Sequence, residues 1–356
     1  MAGTRRRNQA GPDRTVKHRR PSCPPVSVRA SPIQSVIMPR VPTVQAGTHS
    51  YEVHHDWGAL PASIRYGNCH GVQVDSQGFV YVHHTVHEAS PSDHSVVVFD
   101  PQGSFVTSWG GAYAGGAHGF RLTREGSDEF LYFCDIRRGI AQKTDLHGNV
   151  HLTLGYPTES PAYGVRDGRL APSWKPTNLA VSRNGDIYIA DGYGSSYVVR
   201  YDSNGHYIDT FGGGRSDAVN DLHCPHGIEI DDRSGVEEVL VADRSNHRLH
   251  YFDLAGNHLR LVTGVDLPCH FDIYRDGTLL VPDLAARVSL LDGNNNLIGH
   301  LGTGPSDYRE RRLLSRNHFP DGQFVCPHGA CFDHEGNVFV AEWVEVGRVT
   351  FLKRIL

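Results

Sequence analysis

Short runs of alternating apolar and polar residues, ended by glycine turns, recur along most of the chain and predict β-strands. Six of these runs begin alike, five with histidine in second place. They are Cys69-His-Gly-Val-Gln-Val-Asp, Ala117-His-Gly-Phe-Arg-Leu, Pro176-Thr-Asn-Leu-Ala-Val, Pro225-His-Gly-Ile-Glu-Ile-Asp, Cys269-His-Phe-Asp-Ile and Pro327-His-Gly-Ala-Cys-Phe-Asp. Their separations, about 44 to 60 residues, are typical of the four-stranded blades of a β-propeller.

The turns inside each unit support this interpretation. A polar glycine turn follows the first strand in four of the units: Ser76-Gln-Gly, Arg183-Asn-Gly, Arg275-Asp-Gly and His334-Glu-Gly. Asn-Gly and Asp-Gly between apolar runs are strong hairpin signals, because both turn positions need a positive φ. A β-branched and aromatic strand comes next, and a third and a short fourth strand complete the unit.

The two ends of the repeat predict how the ring closes. The sixth unit stops after its third strand, Arg348-Val-Thr-Phe-Leu-Lys, whereas the orphan segment Ser50-Tyr-Glu-Val-His-His-Asp-Trp-Gly has the form of a fourth strand. Donating this segment to the last unit would remove open sheet edges. We therefore predict an all-β fold, a six-bladed β-propeller over residues 46–356 that is closed by an N-terminal strand.

Residues 1–45 have a different composition, rich in Arg, Pro and Ser and without apolar periodicity, and predict a disordered basic tail. Nine Lys or Arg stand against one Asp up to residue 40, about +8, so that the remainder carries about −13 within a chain of net charge −5. The basic pattern is too sparse to predict nucleic acid as a partner. An alternative is an upstream extension with the working start near Met38.

Apolar runs and cysteines bear on the compartment. No run is long enough for a signal peptide or a membrane span, so we expect a soluble protein without a membrane partner. Seven cysteines in 356 residues are too few for a disulfide scaffold and favour a reducing compartment. We therefore expect a cytoplasmic location.

The five histidines that share one register position are the main candidates for chemistry: His70, His118, His226, His270 and His328. Innermost strands of a propeller converge on one axis, so these imidazoles could form a ring, although a histidine in a turn is more often a simple hydrogen-bonding residue. His118, His226 and His328 occupy alternate blades, about 120° apart, and three imidazoles with one open position are typical of catalytic zinc. His70 and His270 are candidate additional ligands. The predicted cofactor is zinc or another divalent transition metal.

Cysteines accompany the ring histidines. Cys69 and Cys269 directly precede two of them, and Cys224 and Cys326 lie two residues before two others. Cysteine could be a small residue that fits the crowded inner edge of a blade. Alternatively, the thiolates are further ligands, which would favour zinc over calcium.

Three motifs carry a resemblance to a known family. They are the His-Gly set at Ala117, Pro225 and Pro327, the segment Ala190-Asp-Gly-Tyr-Gly-Ser-Ser-Tyr-Val-Val-Arg-Tyr, and the segment Val241-Ala-Asp-Arg-Ser-Asn-His-Arg-Leu. On these motifs the chain resembles the NHL-repeat six-bladed propellers, and within them the peptidyl-α-hydroxyglycine α-amidating lyases. The similarity covers nearly all of residues 65–356.

The resemblance implies an activity and roles for particular residues. It implies a zinc held by His118, His226 and His328, a base at Tyr193 and a functional arginine at Arg244. The implied reaction cleaves the C–N bond of a carbinolamide, N–CH(OH)–COO⁻, in a small or peptide-like substrate and releases glyoxylate. A dication or guanidinium beside a tyrosine favours the phenolate, and an arginine can pair with a carboxylate. Packing between blades, and an ion pair with Asp243 or Asp191, are the structural alternatives for Tyr193 and Arg244.

Three departures from the family pattern limit what the resemblance implies. His84 stands where the family has a substrate-contacting arginine, and it is our third candidate catalytic residue. Gly329 replaces the aspartate that binds calcium, so calcium is doubtful, and Gly194 replaces a cysteine of the family disulfide.

Two other functions remain open. One is a non-catalytic NHL propeller that binds a protein or a glycan, with structural histidines. The other is a metal-dependent hydrolase such as a gluconolactonase-like propeller, whose ligands are usually carboxylates and asparagine. Asn178 and a few inner aspartates are the candidates for that site.

Overall fold

The computed structural model describes residues 41–356. The predicted basic tail up to residue 40, with Met38, lies outside the described residues. From Thr43 onward the chain forms six antiparallel sheets arranged as the blades of a propeller, which confirms the predicted fold class. The first strand, Thr43–Ala46, begins upstream of the boundary predicted at residue 46.

The first three blades have four strands each, numbered here by blade from the innermost strand outward. The strands of blade 1 are Cys69–Val74, Val80–His84, Val96–Phe99 and Phe105–Trp109. Those of blade 2 are Ala117–Glu125, Asp128–Asp135, Ile140–Thr144 and Val150–Leu154. Those of blade 3 are Asn178–Val181, Ile187–Ala190, Tyr197–Tyr201 and Tyr207–Gly212.

Blades 4 and 5 repeat the same order. The strands of blade 4 are Pro225–Asp231, Glu238–Asp243, Arg248–Phe252 and His258–Val262. Those of blade 5 are Asp272–Ile273, Leu279–Asp283, Arg287–Leu291 and Leu297–Leu301. The innermost strand of blade 5 is the shortest of the six, and it begins after Cys269 and His270 rather than at them.

Blade 6 joins the two ends of the described chain. Its inner strands are Pro327–Phe332, Val338–Glu342 and Arg348–Ile355, and its outer strands are His49–His55 and Thr43–Ala46. Ser50 pairs with Ile355 and His55 with Thr350. The predicted closure by an N-terminal strand is therefore confirmed, with a fifth strand added outside it.

In four blades, a glycine with positive φ lies in the turn between the first and second strands, as the sequence predicts. The φ angles of Gly78, Gly185, Gly277 and Gly336 lie between 83° and 90°. Residues with a Cβ rarely adopt this conformation, and glycine adopts it without steric cost. The turn chemistry thus specifies where each second strand begins.

Between residues 41 and 356, few elements lie outside the blades. A two-stranded hairpin, Gly164–Arg166 with Arg169–Ala171, lies between blades 2 and 3. The helical segments are short: Gly111–Tyr113, Arg244–Asn246, Tyr308–Arg311 and Arg316–His318. Within residues 41–356, no helix has the length and apolar character needed to cross a bilayer.

The apolar core lies between neighbouring blades rather than at the axis. One cluster, for example, packs Tyr188 and Val198 of blade 3 against Ile228, Val239 and Val241 of blade 4. Each sheet buries both faces in this way, which explains why second strands such as Glu238–Asp243 are buried along their whole length. The first residues of the innermost strands line the axis, and polar side chains are found there.

Candidate metal centre

Four of the six innermost strands begin with a β-bulge. The register shifts occur at Cys69/Gly71, Ala117/Phe120, Pro225/Ile228 and Pro327/Gly329, and each shift contains one of the predicted histidines. A bulge adds an unpaired residue and turns its side chain out of the strand alternation. In this way His70, His118, His226 and His328 turn towards the axis.

The glycine after each of these histidines permits close packing at the axis. A Cβ on Gly119 would lie 2.5 Å from the carbonyl oxygen of Thr177, and one on Gly329 would lie 2.6 Å from that of His70. Gly71 and Gly227 meet the next blade equally closely. Only glycine lets neighbouring innermost strands pack this closely, and the close packing brings the imidazoles together.

The four imidazoles form a four-sided ring. The centroids of His226 lie 4.8 Å from those of both His118 and His328, which are 5.0 Å from each other. His70 completes the figure at 4.9 Å from His118 and 4.6 Å from His328. The structure therefore brings together all three histidines predicted on alternate blades, and adds His70.

His270 does not join the ring contacts described between residues 41 and 356. It precedes a two-residue strand without a bulge, and Phe271, which is fully buried, occupies the place of the glycine. His270 instead lies near Arg121 and beside the backbone of Phe120 and Ala330. It is also close enough to His328 to lower the pKa of that histidine, and its role as an additional ligand stays a prediction.

Backbone carbonyls of the next blade hold the three alternate-blade histidines. The Nδ1 atoms of His118, His226 and His328 lie 2.6, 2.9 and 2.9 Å from the carbonyl oxygens of Thr177, Cys269 and His70, respectively. A carbonyl can only accept a hydrogen bond, so Nδ1 carries the proton and Nε2 carries a lone pair that can accept a hydrogen bond or bind a metal. This orientation by a carbonyl is typical of metal-binding histidines.

Burial keeps these imidazoles neutral. It lowers the pKa of His118 to about 3, and the pKa values of His70, His226 and His328 fall well below 6.5. Neighbouring histidines, and Arg244 for three of the four, lower these pKa values further. Neutral imidazole is the form that binds a metal, so the ring is ready to coordinate at neutral pH.

The donor set fits a divalent transition metal. The Nε2 atoms of His118 and His328 are buried and have no hydrogen-bond partner among the described residues. Two groups of ligand atoms lie within 4.8 Å of one another: those of His70, His118 and His328, and those of His226, Cys269 and His328. Buried nitrogen atoms without partners are costly, and a bound cation would satisfy them.

The loop that follows the second strand of blade 3 places Tyr193 against this ring. Asp191 holds the loop by accepting hydrogen bonds from the amides of Lys175 and Ser195, both at 2.6 Å. A Cβ on Gly192 would lie 2.2 Å from the carbonyl oxygen of Pro225, so only glycine lets the loop approach blade 4. Tyr193 is therefore carried across the interface between blades 3 and 4.

Tyr193 and Arg244 form one hydrogen-bonded unit with the ring. The Tyr193 hydroxyl lies 3.1 Å from His226 Nε2, and Arg244 donates to the hydroxyl at 3.2 Å. Burial raises the pKa of Tyr193, and the charge of Arg244 opposes that rise. Arg248, at 2.6 Å, is the ion-pair partner of Asp243. The proposed ion pair of Arg244 with Asp243 or Asp191 is not among the described contacts, so this cation faces the tyrosine.

The candidate thiol ligands lie close by. Arg244 also donates to Cys224 Sγ at 3.1 Å, and burial raises the pKa of the Cys269 thiol to about 12. All cysteines of the described residues are free. Cys269 therefore lies within reach of the ring as a thiol, which a bound cation would have to deprotonate.

His84 has a different environment from Tyr193 and Arg244. It is fully buried, and its Nδ1 accepts hydrogen bonds from the amides of Val86 at 3.0 Å and Gly67 at 3.4 Å. Its ring packs edge-on against Tyr66. These contacts within blade 1 orient His84 without bringing it into the described ring contacts.

The structure also shows the surroundings of two residues that the sequence analysis considered for other sites, a calcium site and a lactonase-type site. Gly329 has no room for the side chain of an aspartate, because of its contact with the His70 carbonyl. Asn178, the residue considered for a lactonase-type site, is buried and accepts a hydrogen bond from the amide of Leu179 at 2.9 Å. Neither residue contributes to the ring.

Fold and site together define a six-bladed β-propeller with a histidine ring on its axis. Comparison with protein-family models gives no match. Among curated proteins, the chain is 31% identical over 104 residues to a probable peptidyl-α-hydroxyglycine α-amidating lyase of Caenorhabditis elegans, which covers 28% of this chain and 29% of that protein. It is 28% identical over 213 residues to peptidyl-α-hydroxyglycine α-amidating lyase 1 of Drosophila melanogaster, covering 55% and 37%.

A third relative is NHL repeat-containing protein 3 of Mus musculus, 28% identical over 193 residues, with 51% of each chain covered. The chain thus spans between about a third and a half of the lengths of these relatives. The resemblance to amidating lyases and NHL-repeat propellers is confirmed.

Solved structures agree on the fold. A streptogramin B lyase superimposes with a TM-score of 0.56 at 11% identity, covering 87% of this chain and 100% of that one. A gluconolactonase of Xanthomonas campestris superimposes with a TM-score of 0.56 at 16% identity, covering 90% and 99%. At these identities the superpositions show the propeller fold alone.

Proposed function

We propose that this protein is a metal-dependent lyase that cleaves the C–N bond of a carbinolamide, N–CH(OH)–COO⁻, and releases glyoxylate and an amide. One observation carries the proposal. The Tyr193 hydroxyl accepts a hydrogen bond from Arg244 and lies 3.1 Å from Nε2 of His226, whose tautomer is set by a backbone carbonyl. The names of the curated lyase relatives agree with it.

His118, His226 and His328 are the proposed ligands during the reaction. A divalent cation held there would polarise the substrate hydroxyl and make it more acidic. Because the Tyr193 hydroxyl reaches His226 Nε2, a substrate hydroxyl bound at that corner of the ring would lie beside the phenol. Tyr193 can therefore receive the hydroxyl proton.

The proton balance needs no further reactant. Tyr193 acts as a base in its phenolate form. As the phenolate takes the hydroxyl proton, the O–H electron pair forms the C=O bond of glyoxylate, and the C–N electron pair passes to nitrogen. Tyr193 then returns the proton to that nitrogen, which leaves as the amide. Arg244 favours the phenolate form of Tyr193 and can pair with the substrate carboxylate.

The other functions have weaker support in the described residues. A lactonase-type site built around Asn178 lacks the convergence seen at the histidines, and the Asn178 side chain is already hydrogen bonded to its own strand. A non-catalytic propeller would leave the buried nitrogens of His118 and His328 without a purpose and without a partner.

The test has two parts, applied to the full chain. Purified protein is analysed for bound metal, and zinc-loaded protein is then incubated with α-hydroxyhippurate while glyoxylate is measured. We expect one ion per chain and glyoxylate formation. Tyr193→Phe should keep the ion and lower kcat about 10²- to 10⁴-fold, the usual contribution of a positioned acid–base group.

The exposed His206 provides a control, since it pairs with Asp202 far from the ring. His206→Ala should change neither the metal content nor the rate. A folded protein that binds no metal would refute the metal-dependent reaction. A metal-loaded protein that forms no glyoxylate would refute the carbinolamide substrate.

A further inference from the structure

The ring nitrogens of the four histidines differ in whether they already have partners. Within the described residues, His118 Nε2, His328 Nε2 and His70 Nδ1 are buried without a hydrogen-bond partner. His226 Nε2, in contrast, lies 3.1 Å from the Tyr193 hydroxyl. Three imidazoles of the ring are thus free to bind, and His226 is the one already engaged.

Ligand-atom spacing is compatible with binding by the same three histidines. The ligand atoms of His70, His118 and His328 all lie within 4.8 Å of one another. The second such group replaces His118 and His70 by His226 and Cys269. Distance therefore permits both groups, and the free nitrogens favour the one with His70, because the other needs the His226 nitrogen that Tyr193 already contacts.

The four-sided ring explains how two ligand sets can coexist. The contact between His118 and His328 is its short diagonal, 5.0 Å long, with His70 on one side and His226 on the other. Each side forms a nearly equilateral triangle with edges of 4.6 to 5.0 Å. His118 and His328 belong to both triangles, so His70 and His226 are alternative third ligands.

We propose that His70, together with His118 and His328, holds the metal in the substrate-free protein, while His226 remains hydrogen bonded to Tyr193. The inference rests on the proposed function and adds a resting state to it. Binding of substrate beside His226 breaks the Tyr193–His226 hydrogen bond and makes both residues available for the reaction.

The decisive measurement is zinc affinity of the substrate-free full chain, by competition with a chromophoric chelator. His70→Ala should weaken zinc binding at least about tenfold, because even loss of an outer-shell partner typically costs 10- to 100-fold. His226→Ala should leave the affinity within about threefold and leave the visible spectrum of the Co²⁺-loaded protein unchanged. His250→Ala is the matched control: this fully buried histidine lies on the third strand of blade 4, 2.8 Å from His258 through its Nε2, and its loss should leave zinc affinity unchanged.

The outcomes separate this proposal from the proposed function. If His226→Ala loses zinc and His70→Ala keeps it, the resting ligand set is wrong while the metal site stands. If His118→Ala and His328→Ala both keep full zinc affinity, the proposed metal-dependent function is wrong.

A wild-type measurement decides the matter where a variant does not fold. Anomalous diffraction from zinc-soaked crystals should place the ion about 2.0–2.1 Å from nitrogens of His70, His118 and His328, the usual Zn–N distance. An ion bonded to His226 in place of His70 would overturn the proposal.

Discussion

Replacing Gly119 by alanine should disturb the candidate metal centre without changing a proposed ligand. The added Cβ would lie 2.5 Å from the Thr177 carbonyl oxygen and 2.6 Å from the Asn178 Cα. Both contacts are with backbone, which cannot rotate away. The innermost strands of blades 2 and 3 must therefore move apart by about 0.9 Å to reach an ordinary contact of 3.4 Å.

This movement acts directly on His118. Its Nδ1 lies 2.6 Å from the same Thr177 carbonyl oxygen, and lengthening that bond releases the ring orientation. Overpacking of this kind typically costs about 1–3 kcal/mol of the free energy of unfolding. Loss of the histidine's carbonyl partner should weaken metal binding about 10- to 100-fold.

Urea unfolding and chelator competition with zinc measure the two effects on the same protein. Gly155→Ala is the control, because its Cβ would meet nothing within 4 Å and its φ is not positive. We expect that control to change stability by less than about 0.5 kcal/mol. If Gly119→Ala equals Gly155→Ala in both stability and zinc affinity, the close contact of innermost strands does not organise the ring.

Three further predictions concern other parts of the molecule. Arg348→Met leaves the fully buried Glu342 without its cation. The free energy of unfolding should fall by about 3–5 kcal/mol in urea titrations, and a loss below about 1 kcal/mol would contradict this. Burial lowers the pKa of His55 from 6.5 to about 3, so the contribution of His55 to stability is complete above pH 6.5 and is lost as the pH falls towards 3. His55→Gln should make stability fall less steeply over this range in urea titrations, and an unchanged slope would refute the assignment. Arg244→Met should reduce kcat/KM about 10- to 150-fold through loss of a charged hydrogen bond, with metal content unchanged, whereas unchanged kinetics would remove Arg244 from the mechanism.

Much of the fold could be predicted because its signals are local. Glycine turns such as Gly185 and Gly277 need only their own backbone conformation, and strand alternation needs only neighbouring residues. The closing strand was predictable from a missing partner, since Ser50 to His55 has strand character and blade 6 has an unfilled edge. These features do not depend on how the blades are oriented around the axis.

The composition of the ring was harder to predict. His70 and His270 occupy the same register position, yet only His70 is followed by glycine and lies in a bulge. That glycine was visible in the sequence, and its absence after His270 could have separated the two. The approach of Cys269 to His226 and His328 had no comparable signal, because the spacing only placed this cysteine at an inner edge.

The repeat, the number of blades, the closing strand and the set of candidate histidines could all be predicted from the sequence, because turn chemistry and strand period are local properties. Which imidazoles meet depends on the assembled propeller, since His70 and His328 are brought to 4.6 Å by bulges and backbone contacts between the first and last blades. The same assembly places His226 Nε2 within hydrogen-bond distance of the Tyr193 hydroxyl, while one nitrogen each of His70, His118 and His328 has no hydrogen-bond partner among the described residues. Convergence on an axis depends on every blade, and no single segment encodes it.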